Sequence, residues 1–264
     1  MRIMGTVLWI AIVGVLLLAT IFHWQDRLLY FPTQTTVERA AIAGLRAWPS
    51  SQHFRGLAAE PAGAVRGTAI VFHGNAGHAG DRAFYAHALT PLGWRVILAE
   101  YPGFGPRAGR LSEASLVADA DETVALAHRQ YGGPLLLIGE SLGSAVAAAA
   151  AARQRDLTTG LLLITPWDRL AHVASYHYPW LPVKWLLRDE YDTQVRLAAF
   201  DRPVVLVIAE HDSIVPPHLG AALHAALAGS KLITIQGVDH NNWPDHVDAT
   251  WWRTTIALTL GETS

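Results

Sequence analysis

The sequence predicts an α/β fold: a mostly parallel central sheet with helices on both faces, a small helical cap, and one transmembrane helix at the N-terminus. Three observations carry this reading. Short apolar runs alternate with helical patterns along the chain, which is the rhythm of strands joined by crossover helices. A glycine-flanked serine, Gly139-Glu140-Ser141-Leu142-Gly143, sits between one such run and an alanine-rich helical segment. The chain also opens on an almost wholly apolar stretch.

That opening stretch comes first. From Ile3 to Phe22 only Gly5, Thr6, Gly14 and Thr20 interrupt the apolar residues, and no charge falls between Arg2 and Asp26. About 20 such residues in a helix match the hydrocarbon thickness of a bilayer. A cleaved secretory signal has a shorter apolar region, about 7–15 residues, and then a small-x-small site. Leu17, Ala19 and Thr20 make a poor one. Residues 1–24 therefore read as an uncleaved anchor, with a cleaved signal as the alternative, and residues 25–264 as the domain it carries. Trp24, Tyr30 and Phe31 follow, where aromatic side chains suit an interface. Arg2 and the terminal amine nearly balance Arg27 and Arg39, so the positive-inside count assigns the domain to neither side.

At 264 residues the chain has room for one large domain or two small ones. With 51% apolar and 16% charged residues, a sizeable core is easy to build. A formal net charge of −2 and the lack of a long basic run speak against a nucleic-acid partner. There is no cysteine, which excludes disulfides, thiol catalysis and thiolate metal sites. Nothing in the sequence sets an oligomeric state.

The expected strands are Gly67–Phe72, Arg95–Glu100, Pro134–Ile138, Gly160–Thr165, Pro203–Ala209 and Lys231–Gln236. Most are continuous Val/Ile/Leu runs, as in strands buried on both faces. Between them Asp81–Leu92, Ser112–Tyr131, Leu142–Arg155, Pro217–Ala228 and Trp243–Leu260 are each long enough for a crossover helix. Ser112 marks a helix start and Gly132-Gly133 a stop. The stretch 167–200 is too long for a single crossover. Its large side chains, among them Trp167, Tyr176, Tyr178, Trp180 and Trp185, predict an insertion folded back over the sheet. They suit either core filling for an extra helix pair or a substrate-lining surface.

A Gly-x-Ser-x-Gly that leaves a strand and enters a helix is a nucleophile elbow. The small residues on either side let the neighbouring backbone come close to the strained turn that presents the serine. A serine hydroxyl needs a base to take its proton, and with this elbow the acid and then the histidine come later in the chain. Asp212 follows the strand ending at Ala209, and His240 follows the last strand. Both lie at carboxyl ends of strands, where open α/β sheets place their sites. The competitors are His211 and His246 for the base, and Glu210 and Asp239 for the acid. An oxyanion hole would pair the backbone N–H of Leu142 with one from His73-Gly74-Asn75-Ala76-Gly77; Asn75 is the first choice and Ala76 the second.

These motifs stand in one order: His73–Gly77, Tyr101-Pro102-Gly103-Phe104-Gly105, Gly139–Gly143 with Ser144-Ala145-Val146, and Asp212 with Val215-Pro216. Before them comes Arg27-Leu28-Leu29-Tyr30-Phe31-Pro32, and within the insertion His177-Tyr178-Pro179-Trp180-Leu181-Pro182 with Trp185–Asp189. The chain resembles the membrane-anchored, BEM46-like branch of the α/β-hydrolases, often labelled serine aminopeptidase S33-like, over nearly its whole length. The resemblance implies an α/β-hydrolase fold of eight strands, a Ser141–Asp212–His240 triad and no cofactor. Where relatives often carry arginine in the tyrosine loop, Pro102 stands here.

No H-E-x-x-H occurs, the histidines show no ligand spacing, and no nucleotide fingerprint precedes a helix, so neither a metal nor a cofactor is expected. A serine at the elbow, by analogy with the fold's other enzymes, argues against a dehalogenase or epoxide hydrolase. The expected function is hydrolysis of carboxylic esters or thioesters of a small-molecule or lipid acyl substrate by a membrane-anchored serine hydrolase. The alternatives are a peptidase of S33 type on short peptides, and a tethered binding protein that kept the fold without catalysis.

Overall fold

The apolar runs pair into one eight-stranded sheet in the computed structural model of the chain, which describes residues 2–41 and 44–262. In chain order its strands are β1 (Arg46–Trp48), β2 (Gly56–Ala59), β3 (Gly67–Phe72), β4 (Trp94–Ala99), β5 (Leu135–Glu140), β6 (Thr158–Ile164), β7 (Val204–Ala209) and β8 (Lys231–Ile235). Across the sheet the order is β8-β7-β6-β5-β3-β4-β2-β1. Neighbours from β8 to β4 run parallel, whereas β2 lies antiparallel to β4 and β1 antiparallel to β2. The sequence reading missed β1 and β2, because neither Arg46-Ala47-Trp48 nor Gly56-Leu57-Ala58-Ala59 forms a continuous β-branched run.

Apart from the single turn Val37–Ala40, the α-helices of the described residues are α1 (Arg2–Leu29), α2 (Ala83–Leu89), α3 (Glu113–Tyr131), α4 (Leu142–Arg153), α5 (Leu170–His177), α6 (Val183–Leu186), α7 (Thr193–Leu197), α8 (Pro217–Ala226) and α9 (Ala249–Thr259). Successive strand residues point to opposite faces, and the core divides accordingly. Ile70, Phe72, Leu135 and Leu137 pack with Leu116 and Val124 of α3, Ala147 of α4 and Leu219 of α8. Ala69, Val71, Leu136 and Ile138 pack with Tyr85 and Leu89 of α2 and Trp252 and Ile256 of α9.

Helix ends follow local chemistry. Ser112 Oγ accepts the Ser115 N–H at 3.2 Å at the start of α3, and Gly132 and Gly133 with φ of 62° and 66° end it. Two expected helices are broken. Thr90-Pro91-Leu92 winds as a 3₁₀ turn after α2, and Trp243–His246 is a separate 3₁₀ turn before α9. In the second case Asp248 caps α9, its carboxylate accepting the Trp251 N–H at 2.7 Å.

Helix α1 contains a stretch, Thr6–Leu29, long and apolar enough to cross a membrane. It runs directly into a short strand, Phe31–Pro32, that pairs with Ala76–Gly77 in the loop after β3. Helices α5, α6 and α7 form the insertion between β6 and β7. Its aromatic residues divide: Trp167 is buried, with Nε1 donating to the Tyr191 carbonyl at 3.3 Å, while Tyr176, Tyr178, Trp180 and Trp185 are exposed.

Candidate active site

The site forms where the strand order reverses. After β4 the chain crosses back over β3 to begin β5, so the carboxyl ends of β3 and β5 border the crevice at the point of reversal. Register brings Phe72 of β3 opposite Gly139 of β5. The two loops that follow therefore abut, and a Cβ placed on Gly74 would lie 3.5 Å from the Ser141 Cβ.

Ser141 sits between β5 and α4 with φ 54° and ψ −118°, a backbone conformation that L-residues rarely hold. Its surroundings compel the turn. A Cβ on Gly143 would collide with the Phe72 and His73 carbonyl oxygens, and one on Gly139 with the Gly143 carbonyl and the Ser144 backbone. The Ser141 N–H donates to the Ile164 carbonyl at 2.9 Å, and Ser144 Oγ bonds the Gly139 and Ile164 carbonyls at 2.9 and 3.0 Å. The elbow is thus stitched to β6 through the carbonyl of Ile164, which receives both Ser141 and Ser144.

Ser141, His240 and Asp212 are each more than nine-tenths buried and form one hydrogen-bonded chain. His240 Nε2 lies 3.0 Å from Ser141 Oγ, and His240 Nδ1 lies 2.7 Å from Asp212 Oδ2. A carboxylate only accepts, so Nδ1 carries the proton and Nε2 presents a lone pair to the serine. The other oxygen of Asp212 accepts the Ile214 and Val215 N–H groups at 2.9 and 2.6 Å, which fixes the carboxylate.

The loops after β7 and β8 are held together by the very groups that competed for these roles. The His211 N–H donates to the Val238 carbonyl at 2.9 Å, and Glu210 Oε2 accepts the Gly237 N–H at 2.8 Å. Asp239 accepts from the Ser213 N–H and hydroxyl at 2.8 and 2.9 Å, and from the His240 N–H at 2.6 Å. These donors, the Ser213 amide first, hold the Asp239 carboxyl below its ordinary range. His211 and His246 are exposed and lie outside the Ser141–His240–Asp212 chain, with His246 Nδ1 donating to the Asn242 carbonyl at 3.0 Å.

Leu142 opens α4, so its N–H belongs to the helix's unpaired first turn. Across the crevice Asn75 is fixed by both its polar groups. Its side-chain amide donates to the Leu29 carbonyl at 2.9 Å, and its own carbonyl accepts the Phe31 N–H at 2.8 Å. Ala76, the second choice, is exposed. Beneath the loop His73 is buried; Nδ1 donates to the Gly74 carbonyl at 2.8 Å, and Nε2 lies 3.0 Å from Glu100 Oε1. The Tyr101 hydroxyl donates to the His73 carbonyl at 2.8 Å.

Sequence reasoning missed Glu100, and also Arg82 and Tyr85, which bind Glu140 beside Ser141. Arg82 Nε donates to Glu140 Oε1 and the Tyr85 hydroxyl to Oε2, both at 3.1 Å. The visible signal was the charge at Glu140 in an otherwise apolar segment, which demands a partner.

An apolar cavity of about 480 Å³ borders this site, lined by Asn75, Ile214, the cap and the end of α1. A second, of about 460 Å³, lies at the amino ends of β7 and β8, at the opposite edge of the strands from the Ser141–His240–Asp212 chain.

The profile of a family described as serine aminopeptidase, S33 matches residues 63–189, and one described as TAP-like protein matches residues 180–249. An uncharacterized protein of Mycobacterium tuberculosis is 34% identical over 274 aligned residues, covering 100% of this chain and 96% of that protein. The lysophosphatidylserine lipase ABHD12 of Danio rerio is 31% identical over 181 residues, covering 61% of this chain and 47% of the lipase. Among solved structures, the monoacylglycerol lipase of Paleococcus ferrophilus matches with a TM-score of 0.59 at 19% identity, covering 78% of this chain and 98% of that one. The chain belongs to the α/β-hydrolase superfamily, in the serine aminopeptidase S33-like branch that it shares with protein bem46 of fission yeast.

Proposed function

We propose that this chain is a membrane-anchored serine hydrolase that cleaves carboxylic esters or thioesters of acyl lipids through an acyl-enzyme. The single observation that carries the reading is the unbroken chain from Ser141 Oγ through His240 to Asp212, with the serine on a strained, buried turn. His240 takes the Ser141 proton as the hydroxyl attacks the carbonyl carbon, and Asp212 orients and stabilises the imidazolium. The Leu142 and Asn75 N–H groups receive the negative charge that develops on the carbonyl oxygen. Each such donor is worth about 10²–10³ in rate in comparable sites. His240 then protonates the leaving alcohol or thiol. Water, deprotonated by the same imidazole, releases the acid and restores the Ser141 hydroxyl.

The choice of acyl lipids rests on the apolar cavity beside Asn75 and on the likeness to a lysophosphatidylserine lipase, of which the chain spans about half the length. Helix α1 serves as the anchor in this reading.

The test is labelling by a fluorophosphonate probe of the full-length protein and of Ser141→Ala. Labelling confined to the parent protein is expected, with esterase activity falling by at least about 10³-fold in the variant. Full activity in Ser141→Ala would refute the assignment. p-Nitrophenyl acyl esters compared with aminoacyl amides decide the substrate class. Preference for the amides would make the chain a peptidase.

A further inference from the structure

The last turn of α1 is bonded to the cap more closely than a tether requires. The Gln25 side chain is held at both ends of its amide: Nε2 donates to the Leu186 carbonyl at 3.1 Å, and Oε1 accepts the Arg188 N–H at 2.8 Å. Asp26 forms an ion pair with the Arg188 guanidinium, which also lies over the Phe22 ring at 5.7 Å. Just beyond, Tyr30 is buried, its hydroxyl donating to Asp189 Oδ2 at 2.6 Å and lying 2.8 Å from the Tyr191 hydroxyl. Helix, cap and the loop bearing Asn75 are thereby fixed to one another.

Between this turn and the cap lies the cavity of about 480 Å³. Ile21, Leu28 and Leu29 of α1 supply one wall, and Leu170, Val173 and Leu181 of the cap supply the other. The lining also includes Asn75, from the loop after β3, and Ile214, two residues beyond Asp212. His177 Nε2 donates to the Ile214 carbonyl at 2.7 Å and so ties the cap to the loop of Asp212. Toward the outside the lining includes Tyr178 and Trp180, 51% and 69% exposed, and Trp185 on α6 is 88% exposed. Exposed aromatic residues held beside the end of a membrane-spanning helix lie at the depth where tryptophan and tyrosine favour the bilayer interface. The volume falls in the lower half of the ~300–1,000 Å³ range of small-ligand sites, room for one long alkyl chain.

We infer that the last three turns of α1 form one wall of the acyl-chain pocket, so that the enzyme draws a single-chain acyl amphiphile sideways out of the bilayer between its own membrane helix and its cap. The inference rests on the esterase reading above. It makes Ile21, Leu28 and Leu29 specificity-determining residues and makes the membrane helix part of the substrate site.

The test uses full-length protein in phosphatidylcholine vesicles and an alkyl fluorophosphonate of palmitoyl length whose chain ends in a diazirine. The expected result is phosphorus attached at Ser141 and, after irradiation, a crosslink in the peptide that contains Ile21 and Gln25. Label at Ser141 with crosslinks only outside α1 overturns the inference and leaves the esterase reading standing. No label at Ser141 overturns that reading, and the inference with it. An independent arm compares p-nitrophenyl palmitate with the butyrate. In Ile21→Trp the ratio of kcat/KM for the long ester over the short one should fall by at least about tenfold. An unchanged ratio overturns the inference.

Discussion

The side-chain amide of Asn75 donates to the carbonyl oxygen of Leu29, so the loop facing Ser141 is tied to the last residue of the N-terminal helix. Asn75 contributes a backbone N–H to the proposed oxyanion hole, and its side chain sets where that N–H points. Asn75→Ala keeps the backbone donor and frees the loop. It should lower kcat by about 10–10²-fold with little change in KM, since small misplacements of a transition-state donor are that costly. Asn75→Asp, which cannot donate to Leu29, should fall as far. Steady-state kinetics on a soluble ester reads both, and a change confined to KM would refute the positioning role.

The elbow tolerates no added carbon at its second glycine. A Cβ on Gly143 meets the carbonyl oxygens of Phe72 and His73, and these belong to the strand and loop that must abut the nucleophile. Gly143→Ala should destabilise by about 3 kcal/mol or more through overpacking. Thermal melting would show it, together with loss of fluorophosphonate labelling in whatever folds.

Glu140 is the one charged group in the elbow, and it is held by Arg82 and Tyr85. Glu140→Ala strands the Arg82 guanidinium, whose side chain is only 18% exposed, and should cost about 3–5 kcal/mol. Glu140→Gln retains an acceptor and should cost less. Chemical denaturation of the two variants tests the order, and equal losses would mean that packing, not charge, decides.

Alkali should weaken the joint between helix and cap. Burial first, and then the neighbouring Tyr191 and Asp189, push the Tyr30 phenol well above its ordinary 10.0, and burial does the same to Tyr191. A raised folded value means that the folded chain keeps a proton the unfolded chain gives up. The associated stability is therefore whole below pH 10.0 and declines as the pH rises beyond it. Tyr30→Phe should cost about 1–3 kcal/mol at neutral pH by leaving Asp189 short of a donor. It should also flatten the alkaline decline. A decline as steep as in the parent would assign the effect to other tyrosines.

The parallel strands could be read from the sequence because burial on both faces leaves continuous apolar runs, as in Leu135–Ile138 and Val204–Ala209. Ser141 stood out because a strained turn needs glycines at fixed offsets, and Asp212 and His240 because chain order and strand ends restrict the choice. What stayed hidden depends on contacts between distant segments. Nothing local in Tyr30 or Asp189 announces that they meet, since 159 residues separate Tyr30 from its acid. Strands β1 and β2 escaped for a related reason: their partners, and not their composition, make them strands.

Helix α4 carries one further consequence. Ala147, Ala148, Ala149, Ala150 and Ala151 are all buried, so every side of that helix is enclosed and none of these positions has room to grow. A larger side chain there would push the helix, and with it the serine at its head. Substitution along α4 is thus confined by volume alone. The outward-facing cap positions Trp180, Trp185 and Tyr176 meet no such limit of volume. Descendants of this chain would change what they recognise far sooner than how they react.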